Sequence, residues 1–198
     1  MYKFLTAIIL SAFAIFGNNF CSAERGRYDL DRIEMNRYEM NLGGLTYGSS
    51  SYYMIELYGL PDTNERGVEF LSTCKYGSGV EIGYLSDQHK IFQIIVRENN
   101  GWTTPAGLAV GMTIDKALEM YGAPPFSKSG KDLTAYAYFT YRFIGDSSDY
   151  EKDYGFIILF DNATRKIVEM RVEGDNPMVG FEDYFEPSIN YLLGIENE

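Results

Sequence analysis

The chain contains two segments, 63 positions apart, that match each other without a gap. Residues 44–61 and 107–124 are identical at seven of 18 positions. The shared residues are mainly glycines, one proline and a tyrosine, which set backbone geometry and packing rather than reactivity. Recurrence at a fixed spacing is typical of a duplicated supersecondary unit. The sequence therefore predicts two similar units in tandem, and it favours an architectural role for the repeated residues over a catalytic one.

Each matching segment predicts a short helix. In the second segment Thr113 is the expected N-cap, apolar residues follow at helical spacing, and Gly122 ends the helix before Pro124. The first segment has Ser50 and Gly59 at the matching positions. We therefore expect one helix near the start of each unit, closed at its end by a glycine.

After each helix the apolar residues alternate with polar ones, which indicates strands. The predicted strands are 67–76, 79–85 and 90–98 in the first unit and 133–143, 155–160 and 166–173 in the second. We expect an α+β fold of two tandem units, each a helix followed by three antiparallel strands. One face of the sheet is expected to be covered by helices and the other to be open and concave.

The predicted organisation has five parts. They are a signal peptide at 1–23, an N-terminal extension at 24–40, repeat units at 41–100 and 101–175, and a C-terminal tail at 176–198. A short helix is expected in the tail, starting near Pro187, because proline is favoured in the first turn of a helix.

Residues 1–23 have the pattern of an export signal. Lys3 precedes an apolar run at 4–16, and Cys21, Ser22 and Ala23 supply the small residues of a cleavage site. A run of 13 residues is too short to cross a bilayer as a helix. We therefore expect an exported protein, periplasmic or secreted, without a transmembrane span.

The chain is acidic, with 17 Lys and Arg against 28 Asp and Glu and a net charge of −11. Without the signal segment and its Lys3, 16 basic residues face 28 acidic ones, which gives −12. Nucleic acids and anionic membrane surfaces bind clustered Lys and Arg, so the composition argues against both as partners. It suits an exported protein that binds a basic or mixed-charge surface.

Few residues in the sequence suit catalysis or metal binding. His89 is the only histidine and lies in a predicted hairpin turn, and Cys74 is the only cysteine after the signal segment. Zinc sites and Cys/His or Ser/His pairs need more of these residues. We therefore expect no enzyme activity, no cofactor and no metal site. The alternation around Cys74 places its side chain on a buried face.

Tyrosine is the residue type that points to binding, with 17 in the chain. In the strand at 133–143, alternation puts Tyr136 and Tyr138 on one face with Arg142, and Ala135, Ala137 and Phe139 on the other, which is the expected core. Tyr and Arg on an open sheet face are typical of binding hot spots. The predicted contact residues are Arg97, Tyr136, Tyr138, Arg142 and Arg171. The alternative is that the tyrosines pack under loops with their hydroxyls in water.

The sequence from Gly107 through Thr113 to Gly122 and Pro124, with its weaker copy at 44–61, resembles the beta-lactamase inhibitory protein superfamily. That superfamily includes the outer-membrane assembly lipoproteins of the SmpA/OmlA type. The resemblance implies tandem helix-plus-sheet units whose concave sheet binds another protein. It implies a protein partner in the envelope or exterior, and a role as an inhibitor or an assembly factor. The alternative function is a glycan- or small-molecule-binding protein, since tyrosine-lined concave sheets also suit sugars.

Overall fold

The structure is a computed structural model, and it describes residue 35 and residues 37–67, 70–143, 150–174 and 181–195. The predicted signal peptide at 1–23 and most of the predicted extension at 24–40 lie outside the described residues. The two matching segments of the sequence are described in full.

Eight strands in the described residues form one antiparallel sheet. They are β1 (Thr63–Arg66), β2 (Leu71–Tyr76), β3 (Val80–Leu85), β4 (Lys90–Val96), β5 (Phe126–Ser129), β6 (Leu133–Phe143), β7 (Tyr150–Asp161) and β8 (Ile167–Gly174). Their order across the sheet is β1-β2-β3-β4-β8-β7-β6-β5. Strands β1–β4 thus form one half and β5–β8 the other, and the halves join where Ile94 of β4 lies opposite Val172 of β8.

The prediction of two tandem helix-plus-three-stranded units was wrong. The last strands of the two halves, β4 and β8, are hydrogen-bonded to each other, so the sheet is a single eight-stranded one. Each half also contains a short strand that the sequence analysis missed, β1 or β5. Their sequences, Thr-Asn-Glu-Arg and Phe-Ser-Lys-Ser, are short and mostly polar, so they give almost no alternating apolar signal.

Three α-helices accompany the sheet in the described part of the chain: α1 (Ser51–Tyr58), α2 (Ile114–Tyr121) and α3 (Phe181–Leu192). A 3-10 helix of three residues, Arg37–Glu39, precedes them. The predicted ends of α1 and α2 are confirmed. The Ser50 hydroxyl accepts a hydrogen bond from the Tyr52 amide at 3.2 Å, whereas Thr113 has the extended backbone of an N-cap without a side-chain bond. Gly59 and Gly122 follow the helices with φ of 79° and 75°, a region that favours glycine.

The larger core lies between α1 and α2 and one face of the sheet. Met54 of α1 and Ile114 and Tyr121 of α2 are buried in it. The sheet contributes apolar residues from both halves, among them Cys74, Ile82, Ile94, Phe156, Met170 and Val172. Because these residues come from strands on both sides of the β4–β8 seam, one apolar core is shared by the whole sheet.

The opposite face is covered by the C-terminal region along β6 and β7. Phe185 and Ile189 of α3 and the nearby Leu193 pack on a second cluster formed by Ala135, Ala137, Phe139, Ile157 and Leu159. The helix starts at Phe181 and contains Pro187, rather than starting near that proline. The expected open, concave face was therefore wrong for this half of the sheet, because α3 buries it.

Candidate functional site

The two predicted contact tyrosines, Tyr136 and Tyr138, lie on the face of the sheet that α1 and α2 cover. Tyr138 is fully buried, and its hydroxyl donates a hydrogen bond to the Gly122 carbonyl at 2.9 Å. Burial raises the pKa of this tyrosine well above its usual value. Tyr136 is half-buried and packs edge-on against Phe160. The expectation that these side chains share an open face was wrong, because that face carries the larger core.

Arg171 lies on the opposite face, in a buried ionic network on β8. Its Nη1 donates to Glu173 Oε1 at 2.8 Å, and its Nε donates to Glu169. Gln93 Nε2 on β4 also donates to Glu173 Oε1 at 2.8 Å. Burial opposes the charge on Arg171, but the carboxylates of Glu173 and Glu169 outweigh it and raise the pKa of the guanidinium. The structure therefore places Arg171 as a structural residue at the seam between the halves.

Arg97 extends the same network towards solvent. Its Nε donates to Glu169 Oε2 at 2.7 Å, and its Nη1 lies 3.6 Å from Glu81 Oε2. The fifth predicted residue, Arg142, is in register with Glu151 near the end of β6, and its side chain lies outside the described residues. The structure thus brings Arg97 and Arg171 together on one face and places Tyr136 and Tyr138 on the other.

An exposed apolar surface that the sequence analysis missed lies on α1. Of the eight residues in this helix only Ser51 and Met54 are buried. Tyr53 and Leu57 are 45% and 44% exposed, and Leu60, just after the helix, is 81% exposed. Tyr53 and Leu57 are four residues apart and are therefore neighbours on the helix surface, and Leu60 follows the Gly59 cap. We call Tyr53, Leu57 and Leu60 the α1 ridge.

The outer surface of α2 carries an ion pair at the two places where α1 has Tyr53 and Glu56. Lys116 stands 63 residues after Tyr53, and Glu119 stands 63 residues after Glu56. Lys116 Nζ donates to Glu119 Oε2 at 2.7 Å, the ordinary ion pair of an exposed helix. α2 therefore has the polar exterior expected of a surface helix, and α1 differs from it by exposing an aromatic and apolar one.

The first turns of the two helices show the same contrast. The Tyr52 hydroxyl lies 3.1 Å from His89 Nε2, and the two rings are 4.5 Å apart. At the matching place on α2, Arg165 donates to Asp115 at 2.6 Å. His89 and Arg165 both end hairpin turns with φ of 55°, and each carbonyl accepts a hydrogen bond from the first amide of the neighbouring helix. The anchoring is thus the same, but α1 uses aromatic rings where α2 uses charges.

The predicted burial of Cys74 is confirmed. Its thiol lies under α1, 3.7 Å from the Met54 sulfur, and burial raises its pKa to about 11. A rise of two pKa units from 9.0 lowers the thiolate fraction at neutral pH about 100-fold. In a folded chain of residues 24–198, we expect iodoacetamide to label Cys74 at least about 100-fold more slowly than in the urea-unfolded protein. Equal labelling rates would show that the thiol is accessible.

Two further observations concern the described residues alone. They contain no group of three or more His, Cys, Asp or Glu side chains placed to hold a metal ion. Nor is any helix among them long and apolar enough to cross a membrane.

No protein-family model and no curated protein matches this chain. Solved structures that are similar to it include an extracellular protein from Bacillus anthracis that contains an SCP domain, with 12% identity and a TM-score of 0.46 over 75% of this chain and 50% of that one. Another is a cysteine-rich secretory protein from Staphylococcus aureus, with 11% identity and a TM-score of 0.46 over 70% of this chain and 48% of that one. The chain spans about half the length of these structures.

The resemblance to the beta-lactamase inhibitory protein superfamily was wrong. The two tandem units on which the resemblance depended are replaced by a single sheet.

Proposed function

We propose that this protein is an exported, non-catalytic binding protein that contacts another protein through the α1 ridge. The observation that carries the proposal is the exposure of Tyr53 and Leu57 on α1 and of Leu60 just after it. The residues 63 positions later are Lys116, Met120 and Ala123, so α2 has a charge where α1 exposes Tyr53. Contiguous exposed apolar surfaces on monomeric proteins mark interaction sites, and tyrosine is enriched in binding hot spots. The signal pattern of residues 1–23 supports export.

An aromatic cluster holds the α1 ridge in place from behind. The Tyr58 ring stacks on Trp102 with centroids 4.2 Å apart, and its hydroxyl donates to the Gly43 carbonyl. The Tyr76 hydroxyl donates to the Gly59 carbonyl at 2.9 Å, which fixes the end of the helix where the ridge continues. A surface that is already ordered loses little conformational entropy on binding. This rigidity supports α1 as a binding surface.

A pull-down with ridge variants tests the proposal. The tagged mature chain, residues 24–198, is incubated with culture and envelope fractions of its own host, beside the double variant Tyr53→Lys, Leu60→Ser. We expect one stoichiometric protein partner whose affinity falls at least about tenfold in the variant, because two hot-spot side chains each contribute more than about 1 kcal/mol. The melting temperature should stay close to that of the wild type, since both side chains are exposed.

The matched control is Lys116→Ala on α2, which is expected to bind the partner as the wild type does. A partner that the double variant retains fully would contradict the proposal. Binding of a glycan or a small molecule in place of a protein would also contradict it.

A further inference from the structure

Glu56 is an exposed carboxylate on α1 that forms no ion pair with any other described residue. It is the only charged residue of that helix. Among the described residues, no Lys, Arg or His lies within ion-pair distance of it. Glu119 on α2 has Lys116 as its partner, but in α1 the place of that lysine is taken by Tyr53. The surface that exposes the ridge therefore also carries an uncompensated negative charge.

The position of Glu56 brings its charge into any contact that the ridge makes. It follows Tyr53 by three residues, and residues at this spacing are neighbours on a helix surface. The whole helix is about 12 Å long at 1.5 Å per residue. A protein that covers the ridge must therefore take the carboxylate out of water. An unpaired carboxylate is costly to bury, so the partner has to supply an opposite charge.

A second copy of this chain does not meet that requirement. Two α1 helices packed on each other about a two-fold axis would supply no cation from either helix, because Glu56 is the one charged residue of each. The net charge of −11 on each copy adds repulsion. Two helices of this length also bury far less than the roughly 800 Å² per partner of a standard stable interface. The ridge therefore suits a different protein that surrounds it.

We propose that α1 inserts into an apolar groove of a partner protein, and that a Lys or Arg on the rim of that groove pairs with Glu56. Helix-in-groove recognition uses anchors at the four-residue spacing of Tyr53 and Leu57, and Leu60 lies just after the helix end. Glu56 then sets specificity, since a groove without a cation would leave the carboxylate unpaired. This inference rests on the proposed function and specifies the chemistry of the partner.

Two synthetic helical peptides serve as probes of this chemistry. Both have leucines along one face, and the flanking residues are lysines in one peptide and glutamates in the other. Each is titrated into the mature chain while amide chemical shifts are recorded. We expect the leucine/lysine peptide to shift the signals of α1 and the leucine/glutamate peptide to leave them unchanged. Glu56→Gln should lower the affinity for the leucine/lysine peptide about two- to fivefold, which is the contribution of a partly exposed ion pair.

The matched control is Glu119→Gln, which removes the paired carboxylate of α2 and should leave peptide affinity unchanged. Tyr53→Lys recreates the Lys116–Glu119 arrangement inside α1 and should abolish binding. Equal affinity of the wild type and Glu56→Gln for the lysine peptide would overturn the inference. Shifts spread over the acidic surface outside α1 would overturn it too.

The pull-down separates this inference from the proposed function. Suppose that Glu56→Gln captures the partner as tightly as the wild type does, and that the Tyr53→Lys, Leu60→Ser variant does not capture it. The proposed function would then stand, and the inference of a Lys or Arg on the rim of the groove would be wrong. Capture of no ridge-dependent partner at all would overturn the function itself.

Discussion

Arg171→Met is expected to lower the free energy of unfolding by about 3–5 kcal/mol, the cost of removing one partner from a buried ion pair. The guanidinium donates to both Glu169 and Glu173, and all three residues are buried. Methionine fills much of the same volume but removes the cation that the two carboxylates share. Glu169 keeps its ion pair with Arg97, whereas Glu173 keeps only the hydrogen bond from Gln93. The buried Oε2 of Glu173 has no hydrogen-bond partner among the described residues, so this carboxylate has little means of compensating. Urea denaturation monitored by circular dichroism measures the loss.

A neutral triple variant is the control for this prediction. Arg171→Met combined with Glu169→Gln and Glu173→Gln removes the buried charges together, and it should recover part of the lost stability, because replacing a whole buried ionic group is much less costly than breaking it. If Arg171→Met alone costs less than about 1 kcal/mol, which is the range of exposed ion pairs, the network is solvated rather than buried.

The pH dependence of the network follows from the raised pKa of Arg171. A group whose pKa is raised by folding contributes stability that is fully present below its unfolded pKa and is lost as the pH rises through the folded one. For arginine both values lie far above neutrality. The contribution of the Arg171 charge is therefore constant across the neutral range.

Local features of the sequence predicted the first two helices and their connecting turns. Ser50 and Gly59 act within a few residues of the helix that they cap, so their effect can be read without knowing the rest of the fold. The turn before Lys90 and the burial of Cys74 were predictable for the same reason. These signals depend on neighbours in the chain rather than on neighbours in space.

The joining of the two halves had no such local signal. Ile94 pairs with Val172 across a long stretch of sequence, and the same alternating pattern would suit two separate sheets equally well. The predicted contact face failed for a related reason. Alternation in β6 separated Tyr136 and Tyr138 correctly from Ala135 and Ala137, but it assumed that only one of the two faces was covered. In the structure α1 and α2 cover one face and α3 covers the other.

The α1 ridge could have been found from the sequence by comparing the two matching segments where they differ. Tyr53 and Leu60 stand where the second segment has Lys116 and Ala123, so at these two places the first segment has one charge fewer and two larger side chains. The residues that the two segments share are the ones that shape the backbone. The exposed residues that differ between the helices carry the information about binding.

Tyr138→Ala is expected to cost about 3–5 kcal/mol of unfolding free energy, the range for removing a large aromatic side chain from a core. Tyr138 is fully buried, its ring meets Tyr121 edge-on, and its hydroxyl donates to the Gly122 carbonyl at the end of α2. Tyr138→Phe keeps the ring and removes only that hydrogen bond, so it should cost about 1 kcal/mol. The half-buried Tyr136 provides a comparison, and Tyr136→Ala should destabilise the fold less than Tyr138→Ala.

Thermal denaturation of these three variants distinguishes a core residue from a contact residue. If Tyr138 lay on an open binding face, Tyr138→Ala would leave the melting temperature nearly unchanged and would weaken partner binding. From the structure we expect the opposite result. Tyr138→Ala should lose much of its stability, and Tyr138→Phe should bind the partner as tightly as the wild type does. The ridge variant Tyr53→Lys, Leu60→Ser should show the reverse behaviour, because its side chains are exposed where those of Tyr138 are buried. The two sets of variants therefore measure folding and binding on separate parts of one chain.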